Sequence, residues 1–298
     1  MAEFNINILG CGSALPTTRH LATSQIVDLR DKLYMIDCGE GTQVQMRRMR
    51  VRFGRLAHIF ISHLHGDHCF GLPGLISTLG MLGRTGELVV HGPKEVETYL
   101  RPVMDLFCRG MEFEVRFNPV DTRSHSLVME DRSLSVYSIP LKHRIPTCGY
   151  LFAEKPKEAH IIYQVPVRCM KDIKQGQDYV TPEGEVVPNS RLTRPATPPK
   201  RYAFCSDTAY NRSIIPIIEG ADLLYHEATF AECDLARAKE TFHSTARQAA
   251  EIARDAHVKR LVIGHYSARY EDLSELHREA EAVFPGTILG NEGTVIPV

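Results

Sequence analysis

The run Ile59-Phe60-Ile61-Ser62-His63-Leu64-His65-Gly66-Asp67-His68 constrains this chain more than any other stretch. An apolar, β-branched strand stops abruptly in three histidines and one aspartate within six residues. Imidazole nitrogen and carboxylate oxygen are the donors that borderline divalent ions such as Zn²⁺ accept. A strand that delivers them to the loop at its C-terminal end therefore reads as one side of a metal site. Residues two apart in extended chain point the same way, so His63 and His65 can converge on one ion. Gly66 permits a sharp turn, after which Asp67 and His68 can face a second ion. Four donors do not complete two coordination shells, so other strands must end in isolated His or Asp residues.

Bulk properties narrow the setting. At 298 residues the chain suits one large α/β domain or two small ones. A net charge of −1 means that any nucleic-acid affinity comes from local patches and not from overall balance. The N-terminus, Met1-Ala2-Glu3-Phe4, shows no basic leader followed by an apolar run, and no span is long enough to cross a bilayer. The expectation is a cytoplasmic protein without a membrane partner. Eight cysteines, scattered and without a CxxC pair, suit reduced thiols better than a disulfide framework. Cys69, beside His68, reads as a packing residue before a ligand.

Taken in order, the chain supplies the missing donors. Phe4 to Leu9 reads as a strand ending in Gly10-Cys11-Gly12-Ser13, and Ser24–Leu29 with Leu33–Asp37 as a hairpin pair. Asp37 reads as a buried carboxylate that braces neighbouring backbone or a ligand histidine. Gly71-Leu72-Pro73-Gly74 opens an apolar helix that ends near Gly83, Pro in the first turn being a helix-start signal. Strands are expected at Leu88–His91, Phe113–Val120 and Leu134–Pro140, and a helix over Lys94–Phe107. His91 and His125 stand alone and read as structural or surface residues. Three further strands each end in one donor: Leu141-Lys142-His143, Cys205-Ser206-Asp207 and Gly264-His265. Seven candidates then fit two ions, with His63, His65 and His143 on one, Asp67, His68 and His265 on the other, and Asp207 bridging. Asp222 to Tyr225 leads into a loop with His226 and Glu227, and His243-Ser244-Thr245 caps an apolar helix over Ala246–Ala256. A His and a Glu on neighbouring loops beside such a centre make a candidate proton relay.

Two basic stretches stand out. Arg47, Arg48, Arg50, Arg52 and Arg55 occur with no acid from Thr42 to Ala57. They read either as a solvated face with ion-pair partners elsewhere or as a phosphate-contacting surface. Residues 155–200 show no sustained period, five prolines after Val180, and eight Lys/Arg against five Asp/Glu, a net of +3. A long, weakly structured insertion in a compact domain is usually functional or disordered. Its basic excess favours an arm that meets a polyanion, a floppy loop or dimer contact being the other reading.

With these motifs in hand, the chain resembles the metallo-β-lactamase superfamily and, within it, the ribonuclease Z family of endonucleases that mature tRNA 3′ ends. The resemblance rests on Gly10 to Pro16, Asp37-Cys38-Gly39-Glu40-Gly41-Thr42-Gln43, His63 to His68, Ser206-Asp207-Thr208, His226-Glu227-Ala228-Thr229, His243-Ser244-Thr245 and His265 to Tyr270. It implies an αββα four-layer sandwich as one domain over 1–298, two zinc ions per subunit, and a protruding tRNA-binding arm at 155–200. Lys155, Lys157, Arg168, Lys171 and Lys174 are the arm's candidate tRNA contacts. The arm's glycine-proline-rich tip is reduced to Val165-Pro166-Val167. Pro16-Thr17-Thr18-Arg19-His20 departs from the family's Pro-x-Lys-x-Arg-Asn loop. A homodimer, with one subunit's arm serving the other's active site, is also implied by resemblance.

The expected reaction is hydrolysis of precursor tRNA at its 3′ trailer, with no DNA substrate. Two ions about 3.5–4 Å apart activate a water and hold the non-bridging phosphate oxygens. Asp67 would accept or orient the proton of the attacking hydroxide, and His243, steered by Glu227, would act as general acid. Ser267 and Arg269 would grip the phosphate. The alternatives are a small-molecule phosphodiesterase or arylsulfatase-like hydrolase of the same superfamily, and a non-catalytic nucleic-acid-binding scaffold.

Overall fold

The computed structural model describes residues 4–15, 17–30 and 32–298. Period-2 alternation builds its first sheet. In the strand Leu56–Phe60 and its continuation, Ile59 and Ile61 point to one face and Phe60 to the other. Met35 likewise faces outward while Tyr34 and Ile36 face inward. The outward residues pack beneath the helices Thr42–Arg48, Leu72–Met81 and Glu95–Phe107. Leu72, Leu75, Ile76 and Leu79 supply the buried stripe of the second of these helices, at the spacing that puts them on one face. Pro73 sits in its first turn, where no N–H is missed.

The inward residues meet a second sheet. Phe60, Tyr34 and Ile36 pack in one cluster with Tyr150, Phe152, Tyr202 and Phe204. Phe60 is fully buried with its ring 5.2 and 5.3 Å from those of Tyr150 and Phe152. Truncation to Ala would cost about 3–5 kcal/mol. The fully buried Tyr150 keeps its hydroxyl satisfied by donating to the Ile61 carbonyl at 2.7 Å. The second sheet's far side is covered by Ala246–Asp255 and Ser274–Glu281. Thr245 starts the former with a complete capping box to Gln248, which selects Thr245 over Ser244 as the cap. The layers are thus helix, sheet, sheet, helix: an αββα sandwich.

Among the described residues each of the two large sheets has seven strands. The first runs Val295–Pro297, Phe4–Gly10, Ser24–Leu29, Lys32–Ile36, Leu56–Phe60, Leu88–Gly92, Val115–Pro119. The second runs Ile288–Leu289, Leu261–Gly264, Leu223–Glu227, Arg201–Cys205, Cys148–Glu154, Leu134–Pro140, Leu127–Glu130. Lys32–Ile36 and the three strands beyond it are mutually parallel, and so are Arg201–Cys205, Leu223–Glu227 and Leu261–Gly264. Parallel strands send their C-terminal ends to one edge, where binding crevices form. Two corrections to the sequence reading follow. His226 and Glu227 lie within a buried strand and not on a loop. The 155–200 segment is folded, not weakly structured: two small ribbons and short helices enclose a cluster of Val165, Ile173, Val187 and Leu192. Each of those apolar residues comes from a different short piece, so no period announces them.

Candidate metal centre

The carboxyl ends of both sheets meet at a cavity of about 1100 Å³, lined among others by His65, Asp67, His143, Asp207, His243 and His265. The loop after Leu56–Phe60 brings His63 and His65, the short helical turn Gly66–Cys69 brings Asp67 and His68, and strand ends of the second sheet bring Asp207 and His265. His63, His65, His143 and Asp207 place one donor atom each within 4.8 Å of one another, and so do Asp67, His68 and His265. Asp207 divides its carboxylate between the two groups. Its Oδ2 lies 3.5 Å from His63 Nε2 and 3.6 Å from His143 Nε2, while Oδ1 lies 3.2 Å from His68 Nε2 and 3.1 Å from His265 Nε2. All seven residues named from the sequence as donors come together here.

The outer nitrogen is held in four of the five rings, whereas His65 turns its Nδ1 toward His63 and His143. His68 Nδ1 donates to Asp37 Oδ2 at 2.7 Å, His143 Nδ1 to the Phe242 carbonyl at 3.0 Å, and His265 Nδ1 to Thr229 Oγ1 at 2.9 Å. His63 Nδ1 lies 3.0 Å from Ser62 Oγ. Pinning the outer nitrogen fixes tautomer and ring orientation and leaves Nε2 as the donor, which is how ligating histidines are held. Asp37 also accepts from the Ser62 N–H at 2.8 Å and its hydroxyl at 2.9 Å, as a bracing carboxylate does. Asp37, Asp207 and His265 all have left-handed φ (55, 62 and 59°). Non-glycine residues adopt this only where the surroundings force it, and such strain gathers at functional sites. A nitrogen-rich donor set with its outer atoms anchored fits divalent metal of the zinc type. Cys69 donates to the His65 carbonyl and packs in the first sheet's outer core.

Burial holds His63, His65 and His143 below their ordinary range, so these rings are neutral and able to ligate. His68 goes the other way: full burial opposes its charge, but the carboxylates of Asp207, Asp67 and Asp37 raise it. Asp67 and Asp207, although desolvated, are driven down by the same histidines and stay ionised. Asp67 Oδ2 also accepts the Ala14 N–H at 2.8 Å.

Beside the centre lies an acid–base pair. Glu227 is fully buried, yet it accepts from the N–H of Thr208 at 2.6 Å, the N–H of Ser244 at 3.1 Å and the Thr229 hydroxyl. His243 Nδ1 lies 3.0 Å from Glu227 Oε1 and 3.1 Å from Oε2. Against the desolvation of its site, the Glu227 charge raises His243 to about 9. With Nδ1 committed to Glu227, Nε2 is the nitrogen left for the cavity. Thr229 was not anticipated from sequence. Its single proton goes to Glu227 while it accepts from His265, tying the metal-side histidine to the acid–base pair.

The remaining candidates are placed as follows. Ser267 and Arg269 line the cavity, but Arg269 Nη1 pairs with Asp234 Oδ1 at 2.8 Å and its guanidinium sits 5.0 Å from the Phe230 ring centre. In the arm, Lys155 pairs with Glu130, Lys157 with Glu154 and Lys174 with Glu158. Arg168 and Lys171 are exposed. The five arginines 47, 48, 50, 52 and 55 are all exposed, Arg47 stacking on Phe53. Pro16 lies outside the described residues. Among the described residues of the loop, Leu21 donates its N–H to Glu292 at 2.7 Å and His20 Nδ1 lies 3.0 Å from the same carboxylate. No local pattern could have announced a partner some 270 residues away.

A family model described as "Anti-Pycsar protein Apyc1" matches residues 4–96, the first-sheet part that carries the tandem histidines. Over its full length the chain is 79% identical to "Ribonuclease Z" of Parabacteroides distasonis, with both chains covered completely. It is 62% identical to "Ribonuclease Z" of Bacteroides fragilis over 99% of each. The chain belongs to the ribonuclease Z family. The crystal structure of human tRNase Z, short form, covers 99% of this chain and 100% of its own with a TM-score of 0.72 at 25% identity. This ribonuclease Z family member, an endoribonuclease hydrolase, carries the metallo-β-lactamase fold, and its two donor clusters could bind metal. No helix among its described residues is long and apolar enough to cross a membrane.

Proposed function

We propose that the seven donors hold two zinc ions per subunit and that the enzyme uses them to release the 3′ trailer from precursor tRNA. As a ribonuclease Z, the chain is a tRNA 3′-processing endoribonuclease. The observation that supports the two-zinc reading is Asp207, whose two oxygens each face a separate cluster at 3.1–3.6 Å. When bound, such a pair activates water and neutralises the non-bridging phosphate oxygens. The chain's own residues do the rest. Asp67, its Oδ2 fixed by the Ala14 N–H, orients the attacking water's proton. His243 Nε2 protonates the departing ribose 3′-oxygen, and Glu227 keeps that ring charged and aimed. The products are a tRNA 3′-hydroxyl and a trailer 5′-phosphate. Ser267 and Arg269 line the cavity where the phosphate enters.

We read residues 155–200 as an inserted arm on a single domain spanning 1–298, positioning the tRNA by shape through its phosphates. Arg168 and Lys171, exposed on the arm's surface, lead that set, with Lys155, Lys157 and Lys174 beside them. The family resemblance further implies a homodimer in which each arm serves the partner's site. Eight free cysteines support a reducing, cytoplasmic setting. The test is a gel. A precursor with a 3′ trailer should be cut at the tRNA's 3′ end, and chelator should abolish the cut until zinc is restored. Cleavage that survives exhaustive chelation contradicts the reading.

A further inference from the structure

The reaction cavity has two chemically different walls. The connections after the second sheet's strands contribute His243 and three arginines, Arg144, Arg237 and Arg269, the last two paired with Glu240 and Asp234, a basic side that carries the acid for the leaving oxygen. The first sheet's loops contribute Leu15 and Phe70, which are 69% and 58% exposed although both line the cavity. Most large apolar side chains of this protein are buried, so two left open beside a phosphodiester-cleaving centre call for an occupant.

Phe70 is held from below. A Cβ on Gly66 would come within 2.3 Å of its ring, so the ring rests directly on that glycine, and Tyr99 lies 6.4 Å from its centre. Its backbone is equally fixed, the Phe70 N–H donating to the Gly66 carbonyl at 2.9 Å. The segments forming this wall are locked together: Ala14 donates to Asp67, and Gly71 N–H to the Cys38 carbonyl at 2.8 Å. What faces the cavity is a rigid aromatic surface one turn away from Asp67 and His68. Single-stranded nucleic acid is held on such surfaces by stacking, because every base has a π-face.

We propose that Phe70, flanked by Leu15, forms a nucleobase-stacking subsite for the first nucleotide of the trailer. The inference rests on the ribonuclease reading above. The side follows from the leaving group: the tRNA's 3′-oxygen departs toward His243, which puts the tRNA's last nucleoside on the basic wall. The nucleoside on the other side of the phosphate then falls on the apolar wall.

A double-substitution cycle tests this by single-turnover cleavage of a tRNA precursor, with either a normal or an abasic first trailer nucleotide. Stacking contributes about 1–3 kcal/mol per base, or roughly 5- to 150-fold. Wild type should lose that factor on the abasic precursor. Phe70→Ala should lose a similar factor on the normal precursor and little more on the abasic one. Phe70→Leu, which keeps apolar bulk without the π-face, should behave as Phe70→Ala, and Phe70→Tyr as wild type. Zinc content and melting temperature show that each variant is folded and metallated. Independent, multiplicative losses, or coupling to an abasic tRNA 3′ nucleotide instead, would overturn the assignment. If wild type fails to cut the normal precursor, it is the ribonuclease reading that falls.

Discussion

Replacing Glu227 by Gln isolates the acid–base pair without emptying the space it fills. The carboxylate raises His243 from its ordinary 6.5 to about 9, a stabilisation of the charged ring worth roughly 3 kcal/mol. With that charge removed, burial is the dominant influence left, and it lowers the ring. The sign is therefore fixed: the wild-type acid stays protonated until the pH rises through its elevated pKa, whereas the variant's acid is lost near or below 6.5. Taking those two values, the protonated fraction falls about 30-fold at pH 8 and about 240-fold at pH 9.5, where it enters the 10²–10⁴-fold range of general-acid loss. Cations bound at the proposed centre would push both rings down together, so the separation between the limbs survives even though their absolute positions fall. The assay is single-turnover cleavage of a tRNA precursor from pH 5.5 to 9.5. The alkaline limb of Glu227→Gln should sit about two units below that of wild type, and activity at pH 5.5–6 should recover most of the difference. Gln offers one acceptor to donors that now meet two oxygens, Thr208, Thr229, Ser244 and His243, so some stability is lost as well. A thermal melt separates that loss from chemistry. Superimposable alkaline limbs in a folded, fully metallated variant would refute the pairing as the source of the acid.

Other substitutions probe other parts. Asp207→Asn keeps the shape but removes the charge and one of the two donor oxygens; zinc measured by mass spectrometry should fall from two to one or fewer per chain, and retention of both would remove Asp207 from the centre. The arm leaves the second sheet between Glu154 and Lys200, whose backbones are bonded at 2.8 Å, so residues 157–198 can be replaced by a short linker. That variant should lose tRNA affinity and much of its salt dependence while still hydrolysing bis(p-nitrophenyl) phosphate; equal loss of both activities would deny the arm its role. Gly71→Ala would place a Cβ 2.1 Å from the Gly39 carbonyl oxygen. Calorimetry should show a destabilisation of at least 1–3 kcal/mol, and a melt unchanged from wild type would mean that the loop packing is misdescribed.

The convergence of the seven candidate donors was legible because they follow apolar strands, and parallel strands aim their C-terminal ends at one edge. Asp37 was legible, for the same reason, as a carboxylate bracing backbone or a histidine; the fold makes that histidine His68. The partners that complete the site were less so. Thr229 is one hydroxyl in a strand-end motif, and only folding sets it between Glu227 and His265. Glu292 reaches His20 from the far end of the chain. The strand Cys148–Glu154 carries little alternation because it is buried on both faces, which hides it from a period-2 search. The arm's core of Val165, Ile173, Val187 and Leu192 is too small and too dispersed to impose a period.

Anomalous scattering at the zinc edge from crystals of the metallated protein tests the central claim most directly. Two peaks should flank the Asp207 carboxylate, one among His63, His65 and His143 and the other among Asp67, His68 and His265. A single peak, or zinc bound away from Asp207, would contradict the account.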